Sequence, residues 1–175
     1  MAEALDPILP PDIDELTRAV LEAACARELT LATAESCTGG LLASLLTDVP
    51  GCSHAFDRGF VVYTDDAKIA LLDVPPSLLP HGGSVSQPTA IAMADGAIKR
   101  SKADVAVSIT GWAEEVGDPE QPGGLVHFAC ARRGGQTVHR CEGFGAVGRA
   151  EVRLRALRVA LGLLHDALGD RAAAA

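Results

Sequence analysis

Six residues, Glu35-Ser36-Cys37-Thr38-Gly39-Gly40, separate a short apolar and β-branched run (29–34) from a segment (41–46) in which apolar residues resume at helical spacing. A strand that runs through a tight turn into a helix is the unit of parallel sheets, because the helix must cross back over the sheet before the next strand can start. The pattern recurs. Residues 13–28 carry apolar side chains at helical spacing (Ile13, Leu16, Val20, Leu21, Ala24), with Asp12 placed to cap them. Residues 56–63 read as a second strand, after which Thr64 caps a short helix with Asp65 and Asp66 in its first turn and Lys68 beyond. Pro75, Pro76, Pro80 and Gly82-Gly83 impose a loop before Ser86 caps a helix with Pro88 in its first turn, running to about residue 101.

Residues 103–110 form a continuous apolar run, the pattern of a strand buried on both faces. Two further runs, 125–132 and 136–144, flank Gly134-Gly135 and predict a hairpin, and a last helix covers 149–168. The expected fold is a three-layer α/β/α sandwich with a mixed, mostly parallel sheet of five or six strands and an antiparallel edge hairpin. Ligands of such sheets collect at the carboxyl ends of the parallel strands, which selects 35–40, 63–68 and 110–124.

With 175 residues the chain has the length of one domain, expected at 13–168 between a flexible lead-in (1–12) and a disordered tail (169–175). Apolar residues make up 48% but aromatics only 3%, so the core must be built from Leu, Val, Ile and Ala. A net charge of -8 argues against nucleic acid as partner, since that affinity comes from Lys and Arg neutralising phosphates. Five cysteines without a C-x-x-C pair fit neither a disulfide framework nor a zinc site and imply a reducing, cytoplasmic setting. The acidic N-terminus and the lack of a long apolar window predict neither export nor a membrane span.

The turn at 35–40 combines two hydroxyls, a thiol and two residues without side chains where a helix begins, so its N–H groups can face an anion or an oxyanion. Ser36 is a candidate nucleophile there, with Glu35, Thr38, Gly39 and Gly40 as candidate substrate contacts. The plainer reading is that Ser36 or Thr38 caps the helix and the glycines permit close packing. Cys37 is a rival nucleophile, because a helix N-terminus lowers a thiol pKa. Tyr63 and Lys68 straddle a strand-to-helix junction, where a lysine withdrawn from water could act as base with the phenol relaying its proton; alternatively Lys68 is solvated beside Asp65 and Asp66. The five histidines have no metal-binding spacing, and neither metal nor cofactor is expected. Residues 143–148 match G-x-G-x-x-G, but no further strand follows the helix to bind a ribose, so the segment is expected only to bring Arg149 towards an anion. Against that, Arg149, Arg153, Arg155 and Arg158 could simply solvate a helix face.

Thr33-Ala34-Glu35-Ser36-Cys37-Thr38-Gly39-Gly40, Thr47-Asp48-Val49-Pro50-Gly51-Cys52-Ser53, Val62-Tyr63-Thr64-Asp65-Asp66-Ala67-Lys68, Val85-Ser86, Ser108-Ile109-Thr110-Gly111 and Arg149-Ala150-Glu151-Val152-Arg153 together resemble the C-terminal domain family of the competence-damage-inducible protein CinA. The resemblance spans roughly residues 13 to 168. It implies deamidation of nicotinamide mononucleotide (NMN) to nicotinate mononucleotide and ammonia, a metal-free step of pyridine nucleotide salvage, in a chain that forms homodimers or higher homo-oligomers. It also implies catalytic roles for Ser36, Tyr63 and Lys68, with Ser53, Thr110 and Arg149 near a small nucleotide substrate and the backbone N–H groups of Thr38 to Gly40 around the oxyanion. The chain looks like a stand-alone form of a domain that in CinA follows a larger molybdopterin-binding-like one.

Two departures bear on function. Where the family continues from Thr110-Gly111 with Ile-Ala-Gly-Pro and a Gly-rich loop, this chain has Trp112-Ala113-Glu114-Glu115-Val116-Gly117-Asp118-Pro119, and the Gly-Asp-Arg that opens the last helix is Val147-Gly148-Arg149. Two acids at a strand end repel a phosphate nearby. A non-catalytic nucleotide-binding or regulatory module of the same fold therefore stands as the alternative to the amidase. A short-chain-reductase-like enzyme fails on the missing N-terminal glycine fingerprint and on a Tyr–Lys separation of five rather than four.

Overall fold

Each expected strand-and-helix unit forms in the computed structural model, which describes residues 9–81, 83–115 and 121–169. In chain order the elements are α1 (Pro11–Ala26), β1 (Leu31–Glu35), α2 (Leu41–Leu45), a 3-10 turn (Ser53–Ala55), β2 (Phe56–Val61), α3 (Asp65–Leu72), a second 3-10 turn (Pro76–Leu78), α4 (Gln87–Lys99), β3 (Val105–Gly111), β4 (Leu125–Arg132), β5 (Val138–Gly143) and α5 (Arg149–Gly169). The sheet has the order β2-β1-β3-β4-β5. β1 runs parallel to both β2 and β3, while β4 is antiparallel to β3 and to β5, so β4 alone points the other way. The hairpin turns at Gly134, whose φ of 75° suits glycine, with Gly135 N–H donating to Arg132 O (3.0 Å).

Alternation along the strands builds the three layers. Leu31, Val105, Val107, Ile109 and Phe128 meet α1 (Val20, Leu21, Ala24) and α5 (Leu157, Leu161, Leu164) on one face. On the other face Ala32, Ala34 and Ala106 meet Leu72 of α3 and Met93 and Ala97 of α4, and Ala129 and Ala131 meet Ala90 and Ala94. The small-residue core implied by the composition is thus concentrated under α4. That helix also approaches α3 so closely that a Cβ on Gly96 would lie 2.1 Å from the carbonyl oxygen of Leu72.

Several boundaries differ from expectation, three of them for visible physical reasons. α1 starts at Pro11, inside the expected lead-in, with Pro10 at the cap position and a proline preorganised for the first helical residue. Asp12 lies within the first turn instead of capping it, and takes a hydrogen bond from Arg158 Nη2 of α5 (3.0 Å). The helix ends at Ala26 because Glu28 turns left-handed (φ 54°) and Leu29 N–H closes onto Ala24 O (3.0 Å). β2 stops at Val61; Val62 N–H still donates to Glu35 O (2.8 Å), but Tyr63 belongs to the turn before α3, which Thr64 caps by accepting from Ala67 N–H (3.2 Å). The expectations for residues 1–8, Gly82, 116–120 and 170–175 lie outside the described residues. Among the described residues no helix is long and apolar enough to cross a membrane.

The Gly96 contact generates a test in which two effects oppose. Alanine has the better helix propensity by about 1 kcal/mol, but its Cβ must displace a backbone carbonyl, and overpacking of this kind costs about 1–3 kcal/mol. Gly96→Ala is expected to lower the urea midpoint with an unchanged m-value.

Candidate active site

The carboxyl end of β1 opens a cleft of about 380 Å3, whose walls include Ser36, Tyr63, Asp65, Lys68, Thr110 and Arg149. Its floor is the turn after β1. Ser36 N–H donates to Ile109 O of β3 (3.0 Å), and Gly39 N–H closes the turn onto Ser36 O (3.1 Å). Gly39 and Gly40 have φ of 63° and 94°, a left-handed pair that side chains resist, and a Cβ on Gly40 would lie 3.2 Å from Val61 Cγ2.

Neither Ser36 nor Thr38 caps α2. Glu35 does so from inside the protein: fully buried, its Oε2 accepts from Gly40 and Leu42 N–H (3.1 Å each) and its Oε1 from Ala43 N–H (2.8 Å). The other side of the turn is held by Arg153 of α5, whose Nη2 donates to Thr38 O (2.7 Å). Glu35, Thr38, Gly39 and Gly40 therefore form the scaffold of the turn rather than the wall of the cleft. The N–H groups of Gly39 and Gly40, expected to face an oxyanion, already have acceptors, whereas those of Cys37 and Thr38 have no carbonyl or carboxylate partner among the described residues.

Burial pushes the Cys37 thiol up to about 11, and the nearby Glu35 carboxylate adds to the effect. The thiolate expected at a helix N-terminus is disfavoured because α2 has only five residues and a carboxylate already occupies its first N–H groups. Ser36, 7% exposed, lines the cleft beside Cys37.

Lys68 is only 2% exposed, with Nζ donating to the backbone carbonyl of Tyr63 (3.3 Å) and standing 3.7 Å from Asp65 Oδ1. Desolvation holds its pKa below the ordinary lysine value, and Asp65 opposes that shift. The Asp65 carboxylate is fixed in turn by the Ser84 hydroxyl, and Ser84 O accepts from Thr110 Oγ1 (2.6 Å). Asp65 and Ser84 were not among the sequence candidates; the three-residue spacing of Asp65 and Lys68 on one helix was the available signal for the first, and the loop position of Ser84 carried none.

Tyr63 departs from its expected role. The residue is 62% exposed, and its hydroxyl accepts from Arg149 Nη2 (3.4 Å), while no hydrogen bond joins the phenol to Lys68 among the described residues. Arg149 also donates from Nη1 to Glu114 Oε1 (3.1 Å). Ser53 lies at the amino end of β2, a six-residue strand spanning roughly 20 Å, and does not reach the cleft. The structure thus gathers Ser36, Tyr63, Lys68, Thr110 and Arg149 and leaves Ser53 apart. Of the remaining arginines, Arg155 pairs with Glu151 (2.7 Å) and Arg158 with Asp12.

Two of the five histidines are neighbours: His127 Nδ1 and His139 Nε2 are 3.0 Å apart across the β4–β5 pair. Among the described residues no group of three His, Cys, Asp or Glu side chains is arranged to hold a metal ion.

Glu35→Ala would leave three N–H groups without their acceptor. Hydrogen bonds to a charged group are each worth about 1.5–3 kcal/mol, so a loss of at least about 2 kcal/mol is expected in urea unfolding. Amide hydrogen exchange at Gly40, Leu42 and Ala43 should quicken more than at Val107 in β3; equal changes at both would mean that Glu35 does not hold the turn locally.

The family model of the CinA C-terminal domain matches residues 13–168. A "Putative competence-damage inducible protein" of Symbiobacterium thermophilum is 53% identical over 126 residues, covering 71% of this chain and 30% of that protein. The chain therefore spans about a third of the length of such relatives. The "Nicotinamide-nucleotide amidohydrolase PncC" of Escherichia coli K12 is 42% identical over 151 residues, covering 86% of this chain and 91% of that one. A crystal structure of competence/damage inducible protein CihA from Agrobacterium tumefaciens superposes with a TM-score of 0.88 at 45% identity, covering 93% of this chain and 98% of that one. A match over nearly every described residue, in sequence and in backbone, makes this chain a member of the CinA C-terminal domain family.

Proposed function

We propose that this chain hydrolyses the carboxamide of NMN, releasing ammonia and nicotinate mononucleotide. The observation that carries the reading is the convergence on one cleft of a nearly buried lysine and a serine hydroxyl that is unpaired among the described residues, with an arginine at its rim. The relative named for this activity, matched over 91% of its length, supports the choice of amide. The cleft lies at the small end of ligand-pocket sizes, about 300–1,000 Å3, which suits a mononucleotide better than a dinucleotide.

In this scheme neutral Lys68 takes the proton of Ser36 as Oγ bonds to the amide carbon. The oxyanion meets the N–H group of Cys37, which lines the cleft and has no carbonyl or carboxylate partner among the described residues. The C–N bond breaks as Lys68 returns its proton to the departing nitrogen, and ammonia leaves. Water then attacks the acyl-serine, giving its proton to Lys68, and the ester bond opens with that proton returned to Ser36. Tyr63 orients Arg149 instead of relaying protons, and Arg149 meets the phosphate. The scheme uses no metal.

Purified protein incubated with NMN should release ammonia. Ser36→Ala should nearly abolish release, and Lys68→Ala should reduce it about 10²–10⁴-fold, the usual contribution of a positioned base. Absence of release by the native chain, with NMN still raising its melting temperature, would favour a binding module. The Glu114–Arg149 pair is the observation on that side.

A pH profile tests the base. Lys68 must be unprotonated to accept the serine proton; burial lowers its pKa and Asp65 raises it. Asp65→Asn removes the raising influence, so the acid limb of kcat/KM is expected to move to lower pH. An unmoved limb would assign it to a group other than Lys68.

A further inference from the structure

We infer that Glu114 sets the charge selectivity of the cleft by competing with a ligand's phosphate for Arg149. The inference rests on the reading above in taking Arg149 as the phosphate contact. Among the described residues four charged side chains line the cleft, Lys68, Arg149, Asp65 and Glu114, and each cation faces its own carboxylate: Lys68 Nζ lies 3.7 Å from Asp65 and Arg149 Nη1 3.1 Å from Glu114. With Lys68 protonated these four sum to zero, so an incoming phosphate meets no unpaired positive charge among them.

The two pairs are not equally held. Asp65 is tied to Ser84, and its partner Lys68 is buried; Glu114 has a side chain 61% exposed, and among the described residues its one side-chain hydrogen-bonding partner is Arg149. Glu114 can therefore swing into water without stranding a buried charge. Arg149 does not lose its aim when it does, because Nη2 stays on the Tyr63 hydroxyl. A phosphate oxygen then takes the place of Glu114 Oε1 on Nη1.

The consequence is selectivity rather than exclusion. NMN must displace Glu114, whereas nicotinamide riboside, with the same cationic ring and sugar but no phosphate, need not, and its positive ring is compatible with a retained carboxylate. Glu114 thus narrows the advantage that Arg149 gives to the phosphorylated ligand. An exposed ion pair of this kind changes affinity by about two- to fivefold.

Isothermal titration calorimetry of NMN and of nicotinamide riboside decides the matter, on the native chain, Glu114→Gln, Arg149→Gln and the double variant. The preference for NMN over the riboside should rise about two- to fivefold in Glu114→Gln and should not rise when the same change is made in Arg149→Gln. An unchanged or reduced preference in Glu114→Gln, an equal rise on the Arg149→Gln background, or no NMN binding to either the native chain or Glu114→Gln would overturn the inference. Ammonia release measured beside it separates the two readings. No release with the rise intact removes the deamidation and keeps the role of Glu114; release without the rise does the reverse.

Discussion

A carboxylate sealed inside the protein governs the carboxyl end of the sheet. α2 is five residues long, far too short to nucleate by itself, and its first N–H groups lie against β1. Glu35 meets three of them from the last position of β1, so the strand itself carries the cap of the helix that follows. That arrangement leaves no room for a longer turn and fixes where Ser36 stands. It also bears on Cys37, whose thiolate is disfavoured first by burial and further by the charge that stabilises α2.

The rest of the cleft follows a similar economy of charge. Lys68 lies buried beside a carboxylate that opposes the effect of that burial, and Arg149 is satisfied by a phenol and a carboxylate. Protonated Lys68 and Arg149 would repel each other in a small cleft if both were unpaired. Pairing each with its own acid holds both in place, and the difference in exposure between Asp65 and Glu114 determines which pair yields more readily.

Much of this was legible in the amino-acid sequence because it is local. The strand–turn–helix at 29–46, the Thr64 and Ser86 caps and the Gly134-Gly135 hairpin depend on neighbours a few residues away, and each forms. The cleft was also foreseen in outline, since the ends of parallel strands select it whatever the side chains. Orientation was not legible. Nothing in the run from Thr33 to Gly40 says that Glu35 turns inward to the helix, that the Tyr63 phenol turns out towards Arg149, or that Arg153 reaches the turn, because each contact is set by the packing of another element. Ser53 was carried by resemblance alone, and its place at the amino end of β2 could be seen only once the strand direction was known.

The hydrogen bond from Arg153 to Thr38 joins residues 115 positions apart, and Ser36 is tied to a strand that lies beyond α4 in the chain. Closing such loops costs entropy that only a nearly complete fold can offset. The geometry of the Ser36 turn is therefore a property of the whole chain: a fragment ending before α5, or a nascent chain still lacking it, has the Ser36 motif but not the arginine that holds the turn. The shape of the cleft is in this way tied to completion of folding, so that its floor does not assemble on a partly folded protein.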